Sequence, residues 1–112
     1  MNIQIACEGF DQTPAIREHV ESQMDHLQDF LKHDEMIRVY CAHPGPRVFS
    51  ARIKIHADHR EVVASEESDN LYRAITAARH TMEHRLLQLR KKHLNKRRDK
   101  SSHALELEEL TT

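Results

Sequence analysis

Hydrophobic and polar residues alternate at the start of the chain, and the alternation then gives way to a helical period. Ile3, Ile5 and Cys7 alternate with polar or small residues, which predicts a half-buried strand over residues 2–8. Thr13 followed by Pro14 is typical of a helix start, since the hydroxyl can cap the first turn and proline lacks only an N–H that would have no partner there. The helix is predicted to run to about residue 32. Its apolar stripe consists of Ile16, Val20, Met24, Leu27 and Leu31.

Three further strands are predicted in the middle of the chain, over about residues 36–42, 47–57 and 60–67. The second has the clearest alternation, with apolar residues on one face and Ser, Arg, Lys and His on the other. The sequence HPGP at residues 43–46 and the two residues 58–59 are short connections typical of hairpins. These strands are therefore expected to be antiparallel neighbours with one polar face.

A second amphipathic helix is predicted to begin near Ser68 or Asp69, because either side chain could cap its first turn. No Gly or Pro follows Leu89, the end of its apolar stripe, so the helix is expected to continue to about residue 98. The stripe residues lie three or four positions apart: Leu71, Ile75, Ala78, Met82, Leu86 and Leu89.

The element order β-α-β-β-β-α predicts an α+β fold. Each helix has one apolar face, and the strands alternate apolar and polar residues. A two-layer sandwich in which both helices cover one face of a four-stranded sheet buries these apolar faces together, so this packing is predicted. The opposite face is left to water or to a partner. Residues 1–98 are expected to form one domain, and residues 99–112, which contain three acids in LELEEL, a flexible acidic C-terminal tail.

The composition argues against several classes of protein. No segment approaches the roughly 18 apolar residues of a membrane span, and the N-terminus lacks the features of a signal peptide. A cytoplasmic protein without a membrane partner is therefore expected. Cys7 and Cys41 fall in predicted strands, which is typical of free thiols in a reducing compartment.

Enzymatic chemistry has no evident basis in the sequence. The chain has only two glycines, no phosphate-binding loop and no nucleophile motif, so we expect neither catalysis nor a small-molecule substrate. Among ten histidines, His80 and His84 have a spacing that can place two imidazoles on one metal, but no third ligand accompanies them at a defined spacing. Neither a metal nor another cofactor is predicted.

The strongest functional signal is the charge of the second helix. Residues 85–100 hold eight Lys or Arg against one acid, Asp99, although the whole chain has a net charge of only −1. A solvated helix face is one interpretation, but such a face normally mixes charges of both signs, and residues 85–98 contain no acid. A polyanion is the alternative. Membrane binding is disfavoured because the stretch lacks Trp or Phe opposite its cations, which leaves RNA or DNA.

Several short sequences occur in an order and at spacings that point to a known family. They are TPAIREHV at residues 13–20, VVAS at 62–65, DNLYRAI at 69–75 and HTMEHRLLQLRKK at 80–92. Together they resemble the ribosome hibernation-promoting factor family, which includes ribosome-associated inhibitor A. The resemblance covers about residues 1–98, and the chain is similar to the short members.

The resemblance implies a β-α-β-β-β-α fold. We expect the protein to be monomeric when free. The resemblance also implies stress or stationary-phase binding to the small ribosomal subunit and its rRNA, in the channel used by mRNA and by the A- and P-site tRNAs. Initiation would be blocked by occupancy, a negative regulation of translation. A general RNA- or DNA-binding regulator acting away from the ribosome is the alternative. The predicted RNA-binding residues are Arg79, Arg85, Arg90, Lys91, Lys92, Lys96, Arg97 and Arg98.

Two features set this chain apart within the resemblance. Family members usually carry several cations on the first helix, whereas here it has only Arg17 and Lys32. The acidic tail resembles that of the inhibitor type, but tail composition alone leaves the dimer-promoting type open. Arg90 and Lys91 are predicted to project away from the apolar stripe, so reversing both charges to Glu is expected to abolish binding to the small subunit and to leave folding unaffected.

Overall fold

The computed structural model describes residues 2–31, 35–57 and 59–98, with side chains as far as Lys91 on the last helix. It confirms the α+β fold and the predicted order of elements. The two helices are named α1 and α2 and the strands β1 to β4. Their bounds are β1 Asn2–Glu8, α1 Pro14–Asp25, β2 Met36–Gly45, β3 Val48–Ala57, β4 Arg60–Ser68 and α2 Leu71–Arg98.

The four strands form one sheet in the order β1-β2-β3-β4. β1 runs parallel to β2, because α1 connects them as a crossover, while β2, β3 and β4 pair antiparallel through hairpins. α2 packs on β3 and β4 and also contacts α1. Both helices therefore share one face of the sheet, as predicted, and the other face is open.

The core lies between the helices and the sheet. Its fully buried side chains include Val20 and Met24 of α1, Ile53 and Ile55 of β3, and Met82 of α2. The predicted stripe of α2 is buried from Leu71 to Leu86, and Leu89 is half-buried. The described helices include none long and apolar enough to cross a membrane.

α1 ends sooner than its apolar stripe predicts. The helix stops at Asp25, and a short 3-10 turn over Gln28–Phe30 follows it. Leu27 is nevertheless fully buried and Leu31 packs against the core. The periodicity was misleading because the tighter turn keeps these apolar residues on the same side while the α-helix itself has already ended.

The cap of α2 differs from the sequence prediction. β4 continues through Ser68, whose hydroxyl donates to Asp69 at 3.2 Å, and neither residue caps the helix. Asn70 does so instead, since its Oδ1 accepts from the backbone N–H of Tyr72 at 2.8 Å and of Arg73 at 3.4 Å. The predicted cap of α1 is confirmed: Thr13 Oγ1 accepts from the Ile16 N–H at 3.2 Å.

Asn70→Ala is expected to lower the free energy of unfolding by about 1 kcal/mol, the usual effect of removing a side-chain cap. Ser68→Ala is the matched control, and its effect should stay within about 0.5 kcal/mol because its hydroxyl satisfies no helix N–H. Urea unfolding followed by circular dichroism measures both. A larger loss for Ser68→Ala would contradict the capping assignment.

The two hairpins lie where the sequence predicts them. β2 is longer than expected, because it extends through Pro44 to Gly45 with an irregular register between Ala42 and Gly45. Such an irregularity accommodates a proline, which cannot donate to the ladder. His43 is held there, with its Nδ1 donating to the Val48 carbonyl at 2.9 Å and its ring stacked on Phe49 at 4.2 Å.

Cys7 and Cys41 are free thiols on paired positions of β1 and β2. Burial, and to a smaller extent the neighbouring Cys7, raises the pKa of the Cys41 thiol to about 12. Burial also raises the pKa of Cys7, against a smaller lowering by its hydrogen bond with Cys41. Both groups are protonated at neutral pH and act as small apolar residues.

Candidate nucleic-acid interface

α2 is long enough to carry a binding surface beyond the core. Its 28 residues span about 42 Å at the usual helical rise. Among the described side chains of α2, Leu86 is the last that is fully packed, and the helix continues for about three further turns to Arg98. The predicted cations Lys92, Lys96, Arg97 and Arg98 belong to these turns, and their side chains lie outside the described ones.

Exposed cationic and imidazole side chains follow the outside of α2, and we call them the α2 surface. Arg85 and Lys91 have no ion-pair or hydrogen-bond partner among the described residues, so their charges are available to an external anion. Arg73 has only a loose pair with Asp69 at 3.9 Å, with both side chains about three-quarters exposed. The α2 surface consists of Arg73, His80, His84, Arg85 and Lys91.

Arg79 lies on the flank of α2 that faces α1, and it is only 9% exposed. Its Nε donates to Gln23 Oε1 of α1 at 2.9 Å, and its Nη1 donates to Glu83 Oε2 at 2.8 Å. A third donor reaches His80 Nε2 at 3.2 Å. The guanidinium thus joins the two helices, and all three of its nitrogens already have partners within the protein. An RNA contact by Arg79 stays a prediction.

Arg90 lies on the same flank, about three helical turns further along α2. Its Nη2 donates to the Asp29 carbonyl at 2.7 Å, and its guanidinium stands 4.5 Å from the centre of the Phe30 ring. Arg90 is exposed, and its side chain also contacts the 3-10 turn, because the early end of α1 brings this turn under it. Reversing Arg90 would remove these contacts, and the expectation that reversal of Arg90 and Lys91 leaves folding unaffected stays a prediction.

α1 presents the opposite charge beside the α2 surface. Its one cation, Arg17, is paired with Glu21 at 2.9 Å, and Glu18 and Asp25 are exposed. His19 faces α2, where its Nε2 lies 3.1 Å from both the Tyr72 carbonyl and Thr76 Oγ1. α1 therefore offers little to a phosphate backbone, which limits the cationic part of the helix layer to α2.

Metal binding has no built site in the described part of the chain. His80 and His84 are exposed on α2, but no group of three or more His, Cys, Asp or Glu that could hold a metal occurs among the residues described. A site needs at least three protein ligands as a rule.

A second cationic surface, which sequence reasoning did not single out, lies on the open face of the sheet. Arg38 and Tyr40 of β2 stand beside Lys54 and Arg52 of β3. Alternation along each strand placed these residues on the outer face, but only the register of β2 against β3 brings them together. The pairing of strands is the signal that the linear sequence lacks.

Comparison with known proteins gives a consistent picture. Residues 3–95 match the family described as Sigma 54 modulation protein / S30EA ribosomal protein. The ribosome-associated factor Y of Haemophilus influenzae is 30% identical over 100 residues, which are 88% of this chain and 92% of that protein.

Two solved structures share the fold. The crystal structure of the N-terminal domain of Thermus thermophilus Protein Y superposes with a TM-score of 0.71 at 26% identity, over 80% of this chain and 99% of the other. A ribosomal subunit interface protein from Coxiella burnetii superposes with a TM-score of 0.72 at 21% identity, over 81% of this chain and 99% of the other. The second similarity bears on the fold alone.

Proposed function

Because this chain belongs to the Sigma 54 modulation protein / S30EA ribosomal protein family, we propose that it is a ribosome-associated factor that inhibits translation. It binds the small ribosomal subunit through rRNA, in the channel used by mRNA and the A- and P-site tRNAs. It does so under stress or in stationary phase, and it blocks initiation by occupying the channel. The relative from Haemophilus influenzae, named a ribosome-associated factor, supports this assignment.

The observation that carries the proposal is the unpaired charge of the α2 surface. Arg85 and Lys91 have no acid to neutralise them among the described residues, and α2 has no acid after Glu83. Rows of such cations neutralise phosphates and release condensed counterions, which gives affinity that falls steeply with salt. A long helix with free cations fits a structured RNA backbone without reading individual bases.

The acidic residues of α1 limit which side of the helix layer can contact RNA. Their carboxylates repel phosphates, so within the helix layer the RNA contact is confined to the outer side of α2 and to the turns that follow Leu86. Arg79 and Arg90 fix the position of α2 on its other flank: Arg79 joins α2 to α1, and Arg90 contacts the turn that follows α1. Inhibition then requires only a bound, folded protein, and no chemical step.

Competition on isolated small subunits tests the proposed site. Subunits loaded with mRNA and initiator tRNA are expected to exclude the protein, and subunits loaded with the protein to exclude the tRNA, because the two would fill the same channel. Filter binding with labelled tRNA measures the exclusion. Simultaneous saturation of one subunit by tRNA and protein would contradict occupancy as the mechanism.

A further inference from the structure

The open face of the sheet carries a compact set of side chains that we call the sheet cluster. It comprises Arg38, Tyr40, Arg52 and Lys54, all on the two central strands. Arg38 is directly opposite Lys54 in the register, and Tyr40 is directly opposite Arg52. The ammonium of Lys54 stands 5.6 Å from the centre of the Tyr40 ring. Three cations and one aromatic ring therefore share the face that no helix covers.

The arrangement of charge in the sheet cluster opposes folding. Like charges on directly opposite residues of antiparallel strands are destabilising, and Arg38 and Lys54 form such a pair. Among the described residues, neither Arg38 nor Arg52 has an ion pair with a carboxylate. Lys54 has only a long contact with Glu61 at 3.8 Å. An external anion would relieve this repulsion.

The Tyr40 ring is accessible to a flat ligand. Its side chain is 39% exposed. Two of its neighbours on this face are small: Ala6 is its partner on β1, and Ala42 follows on the same face of β2. Nothing bulky on these neighbours prevents a second ring from lying against Tyr40. Exposed aromatic rings among cations are the usual platform on which nucleic-acid bases stack.

Acidic residues at the rims limit which nucleic acid fits. Glu8 on β1 and Glu61 and Glu67 on β4 are exposed, and they lie on the two edge strands on either side of the cluster. A duplex laid across the sheet would press its phosphates against these carboxylates. A single strand can follow the two central strands and meet only the cations and the ring.

We propose that the sheet cluster binds single-stranded RNA, with one base stacked on Tyr40 and the adjoining phosphates against Arg38, Arg52 and Lys54. The inference rests on the proposed function for its source of RNA, since a bound ribosomal subunit presents single-stranded segments close to the protein. The sheet cluster faces away from the helix layer. The protein therefore contacts RNA on two opposite faces, α2 with a folded backbone and the sheet with an unpaired strand.

The direct test is a titration of the full-length, isotope-labelled protein with an eight-nucleotide oligouridine, followed by amide and side-chain NMR shifts. The largest shifts are expected in β2 and β3, around Tyr40 and Arg52. Fluorescence anisotropy with the same oligonucleotide should show an affinity loss of about fivefold or more for Tyr40→Ala, because one base loses its stacking partner. Shifts confined to α2 would overturn the proposal.

Two matched variants distinguish binding at the sheet cluster from non-specific attraction by the charge of the protein. Arg52→Ala should weaken oligouridine binding several-fold, whereas Arg17→Ala, which removes one exposed cation from α1, should leave it within twofold. Both changes are on the surface, and equal unfolding midpoints confirm that each variant is folded. Equal losses for the two variants would mean non-specific attraction and would overturn the proposal. The proposal would also be overturned if polyglutamate of the same charge displaced labelled oligouridine as well as unlabelled oligouridine does, and Tyr40→Ala had no effect on binding.

The outcome is independent of the proposed function. Oligouridine binding that needs Tyr40, together with no affinity for small subunits, would uphold the sheet site and reject the ribosomal role. Small-subunit binding that needs the α2 surface, together with oligouridine shifts confined to α2, would uphold the ribosomal role and reject the sheet site.

Discussion

Reversing Arg85 and Lys91 together to Glu is expected to weaken binding to small ribosomal subunits by at least about 100-fold near physiological salt. Both side chains are exposed on α2 and have no partner among the described residues, so the change removes two of the proposed phosphate contacts and adds two repulsive charges. The unfolding midpoint should hardly change, since neither side chain contributes to the core. Co-sedimentation gives the affinity, and circular dichroism the stability.

The matched control is Arg47→Glu with Arg60→Glu. It changes the net charge by the same amount, but both residues are exposed at the hairpin ends of the sheet rather than on α2. A loss of less than about tenfold is expected, from the altered overall charge alone. If the control weakened binding as much as the α2 variant, the net charge of the molecule and not the α2 surface would govern its affinity.

Replacing Arg79 with Ala is expected to lower the free energy of unfolding by about 2 kcal/mol, because it leaves Gln23 and Glu83 without their partner between the helices. This is a substantial fraction of the stability of a small domain. The affinity for small subunits should change by less than about threefold at temperatures where the variant is folded, since the guanidinium is directed at α1. Urea unfolding and co-sedimentation together measure both effects.

Arg85→Ala is the comparison, with the opposite pattern expected: reduced binding and unchanged stability. An Arg79→Ala variant that kept its stability but lost its affinity would show that Arg79 acts on RNA. In that case the hydrogen bonds to Gln23 and Glu83 would have to be exchanged for contacts with phosphate on binding.

Periodicity predicted most of the fold because each element buries a regular stripe. The alternation over residues 2–8 matches β1, and the stripe from Leu71 to Leu86 is the buried face of α2. The end of α1 was beyond such reasoning, since Leu27 remains buried in a turn that is not α-helical. The cap of α2 was misplaced because Ser68, Asp69 and Asn70 are all good capping residues, and only the extent of β4 decides among them.

The candidate site was only partly accessible from the sequence. The run of cations after Leu86 marks α2 as the charged helix, and Arg85 and Lys91 are exposed as expected. The roles of Arg79 and Arg90 depend on where α1 and its turn lie, which the local sequence does not encode. The sheet cluster likewise depends on the register between β2 and β3, a long-range property of the fold.

The α2 surface is proposed to hold this protein at one defined site of the small subunit. Co-sedimentation of the purified protein with small subunits across a salt series, with double-stranded DNA as competitor, tests it most directly. Saturation at one protein per subunit is expected, with affinity that falls as salt rises and survives excess DNA. Binding that never saturates, or that DNA readily removes, would contradict the account and identify α2 as a general polyanion-binding helix.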